Sequence, residues 1–345
     1  MRATSVSGLI GRTPLLEVAL RDGAGTLLVK LEKFNPGGSM KDRMARSMID
    51  EAERSLRLLP RGTIVESSSG NTGAALAMLA AERGYRFIAV VDHHASREKV
   101  RTMRAYGAEI VRVEGGREDE VATLAREALA RSLAESEPGA VFLNQADNPS
   151  NAAGYEDAMA EELIADTSPG EVDILVGSVG TGGSLSGTVR GLRRRGVTLR
   201  VVGVEPAGSI IFGGAAHPYY QSGTGTPGGV LVGANVDYSV IDEGRTVTDA
   251  EAFTTARFLA RRRGLLVGGA AGGVILTALR VLAEEDEQRT ALAIVADGGE
   301  KYLDTVFDDA WLQDRGLFDE ALDTWLSVEV GARRRRERPT RCDVR

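Results

Sequence analysis

The strongest constraint on the fold is an alternation that runs almost the length of the 345-residue chain: short apolar runs, each followed by a stretch of helical periodicity. Strands are expected at 27–31, 63–66, 87–91, 109–113, 141–143, 174–177, 200–204 and 291–295. Helices are expected near 41–54, 72–82, 97–106, 119–133, 155–164, 185–194, 249–262 and 274–283. The runs are apolar at consecutive positions, so both faces are expected to be covered, as in sheets joined by helical crossovers. That pattern predicts an α/β fold with largely parallel sheets. Thr248-Asp249-Ala250-Glu251 has the spacing of a capping box ahead of the helix at 249–262. The polar, turn-rich segment 144–151 is an expected domain boundary. The stretch 217–233, rich in glycine and holding Pro218 and Pro227, is irregular over a length that is usually functional or mobile.

Three glycine-rich segments fall where an expected strand hands over to an expected helix, which is where open α/β sheets bind ligands. In Asn35-Pro36-Gly37-Gly38-Ser39-Met40-Lys41-Asp42-Arg43 the junction carries a primary amine, placed to act as a nucleophile or to touch a phosphate; alone it also suits a solvated helix residue. Ser67-Ser68-Ser69-Gly70-Asn71-Thr72-Gly73 offers hydroxyls and bare N–H groups that suit a carboxylate, or equally a cluster of helix caps. Gly180-Thr181-Gly182-Gly183-Ser184 is a possible anion cradle at a helix start, or simply a tight turn; it is neither a dinucleotide fingerprint nor a Walker loop. Amine, amide and anion cradle together are more specific than any one of them, and they match the needs of a pyridoxal-phosphate (PLP) cofactor.

Charge and composition narrow the partners. The formal charge is −7, but residues 332–345 hold seven arginines against Glu337 and Asp343, leaving an acidic body. Such a body argues against nucleic acid or an anionic membrane as the main partner. The arginine tail reads as a solvated, disordered end. One cysteine, Cys342, cannot form an internal disulfide, and His93, His94 and His217 are too scattered for a metal cluster, so no metal is expected. The first residues lack an apolar signal region and no run is long enough to span a bilayer, which leads to a cytoplasmic expectation.

With Ile10-Gly11-Arg12-Thr13-Pro14-Leu15 and Tyr106-Gly107-Ala108-Glu109, these segments resemble the cysteine synthase and cystathionine β-synthase family of fold-type II PLP enzymes, from about Ile10 to Leu312. The resemblance implies two open, mostly parallel sheets flanked by helices. It implies a smaller N-terminal domain (1–12 and 36–147), a larger C-terminal domain (13–35 and 148–330), the tail 331–345, and a homodimer. Carried over by motif, Lys41 is the Schiff-base lysine and general base, Asn71 contacts the cofactor's 3′-oxygen, and Gly180, Thr181, Gly182, Gly183 and Ser184 hold its phosphate. Ser68, Ser69, Asn71 and Thr72, with Gln145, are implied to grip the amino-acid carboxylate. The implied reaction is β-replacement through an aminoacrylate.

Finer features resemble one branch of that family. Gly37 to Arg43, Val90-Val91-Asp92, Gly208-Ser209-Ile210-Ile211-Phe212-Gly213 and Tyr302-Leu303-Asp304 are similar to the N-(2-amino-2-carboxyethyl)-L-glutamate synthases of 2,3-diaminopropionate biosynthesis, which join O-phospho-L-serine to L-glutamate. A cysteine synthase with a sulfur nucleophile is the alternative, and a catalytically idle PLP-binding scaffold is the alternative of another class. A phosphate leaving group calls for a cation, for which Arg43, Arg97, Lys99, Arg101 and Lys301 are candidates. One departure stands out: where relatives carry a hydroxyl facing the pyridine nitrogen, this chain reads Gly268-Gly269-Ala270-Ala271-Gly272, so Asp297 or a water is the expected substitute if that bond is made at all.

Overall fold

The computed structural model describes residues 2–92, 95–113 and 122–331. In chain order its elements are β1 (Leu15–Val18), β2 (Thr26–Leu31), α1 (Lys41–Arg54), β3 (Thr63–Ser67), α2 (Asn71–Arg83), β4 (Arg86–Val91), α3 (Arg97–Ala105), β5 (Glu109–Arg112), α4 (Thr123–Ser136) and β6 (Ala140–Phe142). There follow α5 (Ser150–Glu156), α6 (Ala158–Asp166), β7 (Ile174–Ser178), α7 (Gly183–Arg194), β8 (Arg200–Pro206), β9 (Glu243–Val247), α8 (Asp249–Arg263), α9 (Gly269–Glu284), β10 (Thr290–Val295), α10 (Asp309–Arg315) and α11 (Glu320–Glu329).

Two sheets form. A six-stranded sheet has the order β1-β2-β10-β7-β8-β9, and a four-stranded sheet the order β5-β4-β3-β6. All pairings are parallel except β1 with β2. The consecutive apolar runs thus sit where expected: β3 is buried at every residue, and β4 at all but its first. The capping box before α8 forms, with Thr248 and Glu251 each bonding the other's backbone.

Sheet order fixes where a ligand can bind. In the small sheet the chain passes from β3 outward to β4 and β5, then returns to place β6 on the other side of β3. In the large sheet it passes from β7 to β8 and β9, then returns to place β10 on the other side of β7. Each sheet therefore has a reversal point, and crevices for ligands open at the C-terminal ends of strands there. The loops in question follow β3 and β6 in one sheet and β7 and β10 in the other. Three of these four carry segments singled out in the sequence: 67–73, 144–145 and 180–184.

Several expectations needed correction. Two strands went unread: β1 and β9 are edge strands paired on one side only, and β9 (Glu-Gly-Arg-Thr-Val) has no apolar run. The single helix expected at 155–164 is two, because the chain turns at Asp157 and α5 begins earlier, at Ser150, within the polar segment. α9 starts at Gly269 rather than 274, since its glycines pack against α8: a Cβ on Gly272 would lie 2.1 Å from the Ala252 carbonyl oxygen. His93, His94, Cys342 and the arginine tail lie outside the described residues. Among the described residues no helix is long and apolar enough to cross a membrane.

Candidate active site

Lys41 opens α1 directly after a turn pinned from two sides. The Met40 N–H donates to the Ala296 carbonyl at 2.9 Å, and the buried Tyr155 hydroxyl donates to the Met40 carbonyl at 2.9 Å. Gly37 donates its N–H to Asp42 Oδ2 at 2.6 Å, and a Cβ there would lie 2.4 Å from Asp42 Oδ1, so a larger residue would have to displace the Asp42 carboxyl. Burial pushes the Lys41 amine down to about 8, against the pull of the Asp297 charge. A useful fraction of Lys41 is then neutral near physiological pH, as a nucleophilic or basic amine requires.

Asn71, the first residue of α2, faces that turn from the other sheet. Its Nδ2 donates to Asp297 Oδ2 at 2.8 Å, and its Oδ1 accepts from Lys301 Nζ at 3.0 Å. Lys301 also donates to the Gly37 and Gly38 carbonyls at 3.2 and 3.0 Å, and the Tyr302 hydroxyl donates to Asp297 Oδ2 at 2.7 Å. An ammonium can only donate, so Lys301 fixes which end of the Asn71 amide points where. Asp297, just past β10, is the hub: it accepts from Asn71 and Tyr302 and bridges to Ser39 through the backbone.

The loop 67–73 combines both readings open to it. Ser68 Oγ accepts the N–H groups of Gly70 and Gly73 at 3.2 and 3.0 Å, which is capping work. Thr72 donates its hydroxyl to Gln145 Oε1 at 2.7 Å, and Gln145 Nε2 donates to the Ser67 carbonyl at 3.1 Å, so Gln145 joins the loop across the β3/β6 reversal. Ser69 accepts from Arg126 Nη1 at 2.8 Å, and Arg126 pairs with Asp92 at 3.2 Å. Sequence reading missed Arg126, because α4 reaches the loop only through tertiary packing.

At 180–184 the backbone is left bare by necessity. Gly182 has φ +88°, and a Cβ on it would lie 2.4 Å from the Val236 nitrogen; one on Gly183 would lie 2.1 Å from Asn151 Oδ1. α7 begins at Gly183 with no side-chain cap, so its first N–H groups and its dipole are directed into the crevice. Asn151 braces the loop, donating to the Gln145 carbonyl at 2.7 Å and to Thr181 Oγ1 at 3.0 Å. Side-chain-free N–H donors at one reversal point and a partly neutral amine near the other fit a phosphate-bearing aldehyde such as PLP.

The remaining candidates separate clearly. Arg43 is itself fully buried and is taken up by an ion network with Glu32 and Glu162. Arg97 and Arg101 are exposed on α3, while Lys99 and Lys301 reach Tyr302 and Asn71. Ala271 is buried in the first turn of α9, and Asp297 Oδ1 lies so near Gly268 that a Cβ there would be 2.1 Å away.

Comparison with known proteins shows the family. Residues 6–297 match the family described as "Pyridoxal-phosphate dependent enzyme". A protein of Sinorhizobium fredii described as "Putative cysteine synthase" is 55% identical over 94% of this chain and 98% of its own length. Rabbit (Oryctolagus cuniculus) cystathionine β-synthase is 36% identical over 90% of this chain, which spans 57% of that longer protein. Among solved structures, a lysine-to-alanine mutant of O-ureido-L-serine synthase bound to O-ureido-L-serine superposes with a TM-score of 0.82 at 36% identity, covering 92% of this chain and 99% of the other. The O-acetylserine-dependent cystathionine β-synthase of Helicobacter pylori gives 0.80 at 33% identity, covering 88% and 98%. The chain belongs to the fold-type II PLP-dependent enzymes of the cysteine synthase and cystathionine β-synthase family, and is a β-replacement enzyme that uses PLP.

Proposed function

We propose that the enzyme replaces the phosphate of O-phospho-L-serine with the amine of L-glutamate, giving N-(2-amino-2-carboxyethyl)-L-glutamate. One observation carries this choice of substrates: beside Lys41, two further lysines connect to the single carboxylate Asp297, Lys99 through the Tyr302 hydroxyl and Lys301 through the Asn71 amide. That surplus of positive charge suits a donor and an acceptor that each carry an acid beyond the α-carboxylate. It has less to do for O-acetylserine and sulfide, although a cysteine synthase remains the second reading in view of the Sinorhizobium relative.

In this reading Ser68, Ser69, Thr72 and Gln145 hold the α-carboxylate, and the 180–184 loop holds the cofactor phosphate. Bound PLP supplies the electron sink that acidifies the substrate α-carbon. The Lys41 amine takes the α-proton, and the β-substituent leaves with its bonding pair. The glutamate amine then adds at Cβ and loses a proton, and Lys41 returns a proton to the α-carbon. Closure of the 67–73 loop on the carboxylate would keep water out meanwhile. The sheets are proposed to mark the two domains, 1–12 with 36–147 and 13–35 with 148–330, and the assembly is proposed to be a homodimer.

The test offers sulfide and L-glutamate in parallel, with O-phospho-L-serine or O-acetyl-L-serine as donor, and identifies products by mass. The glutamate adduct from O-phospho-L-serine is expected. Cysteine as the sole product from either donor would overturn the substrate assignment.

A further inference from the structure

Lys99 is a charged side chain that its own helix does not explain. Arg97 and Arg101 on α3 are exposed, yet Lys99 is only 6% exposed. Its Nζ donates to Ser222 Oγ at 3.1 Å and to the Tyr302 hydroxyl at 3.5 Å, and lies 4.7 Å from the centroid of the Tyr302 ring. Among the described residues no carboxylate lies within ion-pair distance of it, and the charge of Asp297 reaches it only across the Tyr302 hydroxyl. A buried ammonium whose direct contacts are hydroxyls and a ring is poorly compensated until a counter-charge arrives beside it.

The position is tied to the candidate site. Lys99 connects to Asn71 through Tyr302 and Asp297, by contacts of 3.5, 2.7 and 2.8 Å. Its partner Ser222 precedes Gly223 and Thr224, whose backbone closes over the cradle: a Cβ on Gly180 would lie 3.2 Å from the Gly223 carbonyl oxygen. Thr224 also donates its hydroxyl to the Val179 carbonyl at 2.9 Å. The ammonium thus bridges the small sheet's α3 and the loop that abuts 180–184.

We propose that Lys99 and Ser222 form a second anion subsite, separate from the α-carboxylate loop, that takes the acid group distinguishing this enzyme's substrates: the phosphate of the donor or the side-chain carboxylate of the acceptor. The inference rests on the substrate reading above and deepens it. An incoming anion gives Lys99 the direct ion pair that Asp297, one hydroxyl away, does not make, and a charge-assisted bond at a buried site separates an acid from its neutral analogue by roughly 10- to 100-fold.

The test uses holoenzyme and two matched pairs: O-phospho-L-serine against O-acetyl-L-serine, and L-glutamate against L-glutamine. Calorimetric binding is measured along with steady-state kinetics, because binding registers even without turnover. The native enzyme is expected to prefer the acid in at least one pair by roughly 10-fold or more. Lys99→Met should abolish that preference by raising KM for the acid at least ~10-fold more than for its neutral analogue, Lys99→Arg should keep it, and Ser222→Ala should weaken it. The pair that responds identifies the acid. A preference that survives Lys99→Met, equal losses for acid and neutral partner, or no preference in the native enzyme would overturn the subsite. Failure of the glutamate adduct to form, with an acid preference still lost on Lys99→Met, would overturn the substrate reading alone.

Discussion

Replacing Arg43 with methionine should be the most damaging single change outside the crevice. Its guanidinium donates to both oxygens of Glu32 at 2.7 and 2.8 Å and to both oxygens of Glu162 at 2.7 and 2.8 Å. The side chains of Arg43 and Glu32 are 0% exposed and that of Glu162 is 12% exposed. Without Arg43, Glu162 keeps Lys30 at 3.1 Å, but Glu32 is left with only neutral donors, Thr13 Oγ1 at 2.6 Å and Asn35 Nδ2 at 2.9 Å. Removing one partner from a buried ion pair costs about 3–5 kcal/mol, a large share of the ~5–15 kcal/mol that a folded protein has in total. At roughly 1.4 °C per kcal/mol for a chain of 345 residues, the melting temperature should fall by about 4–7 °C. The loss should also depend on pH. Burial would raise the Glu162 pKa, but Arg43 overrides burial and holds it at about 2. A carboxyl with a folded pKa below its unfolded value of ~4.3 stabilises above that value, and the benefit disappears as pH falls toward 2. In the variant the stranded carboxyls can take up protons, so its deficit should be largest at pH 8 and smaller at pH 5. Glu32→Gln in the same background should recover part of the loss. Denaturant unfolding at the two pH values measures all of this. A deficit below about 1 kcal/mol, or one equal at both pH values, would refute the reasoning.

Three further outcomes follow from the same contacts. Glu66 is driven up to about 8 by burial, only partly opposed by nearby backbone N–H groups, so the native fold binds a proton that the unfolded chain releases, and stability should drop as pH rises from about 4.5 through 8. Glu66→Gln should therefore change little at pH 5 and gain about 2–4 kcal/mol over the native protein by pH 9; an equal difference at both pH values in urea melts would count against a protonated Glu66. Gly182→Ala places a methyl 2.4 Å from the Val236 nitrogen at φ +88°, and should cost at least ~1–3 kcal/mol and weaken PLP retention on dialysis; unchanged retention would remove the cradle from this loop. With Lys41 titrating at about 8, the rate at which apoprotein takes up PLP should rise with pH and level off above that value, whereas a midpoint near 10 would mean that burial does not tune the amine.

How far the chain could be read in advance depended on whether the signal was local. α1 has the expected bounds, 41–54, because its apolar face, Met44, Met48, Ile49 and Ala52, is written at helical spacing. The three glycine segments were legible because a bare backbone needs glycine itself, as at Gly182. What was not legible depends on distant partners. Arg43 reads as a surface cation until Glu32 and Glu162 are brought to it, and Lys99 looks like its neighbours Arg97 and Arg101 until Ser222 and Tyr302 cover it. Edge strand β9 has one neighbour and a half-exposed pattern, so its sequence never had to be apolar on both faces.

The central claim is that Lys41, among three lysines around Asp297, is the one that bonds the cofactor. Borohydride reduction of the holoenzyme, followed by digestion and mass spectrometry, tests it directly. The account predicts the pyridoxyl mass on the peptide containing Lys41, and loss of the visible cofactor band in Lys41→Ala. The label on Lys99 or Lys301, or an unchanged band in Lys41→Ala, would contradict it.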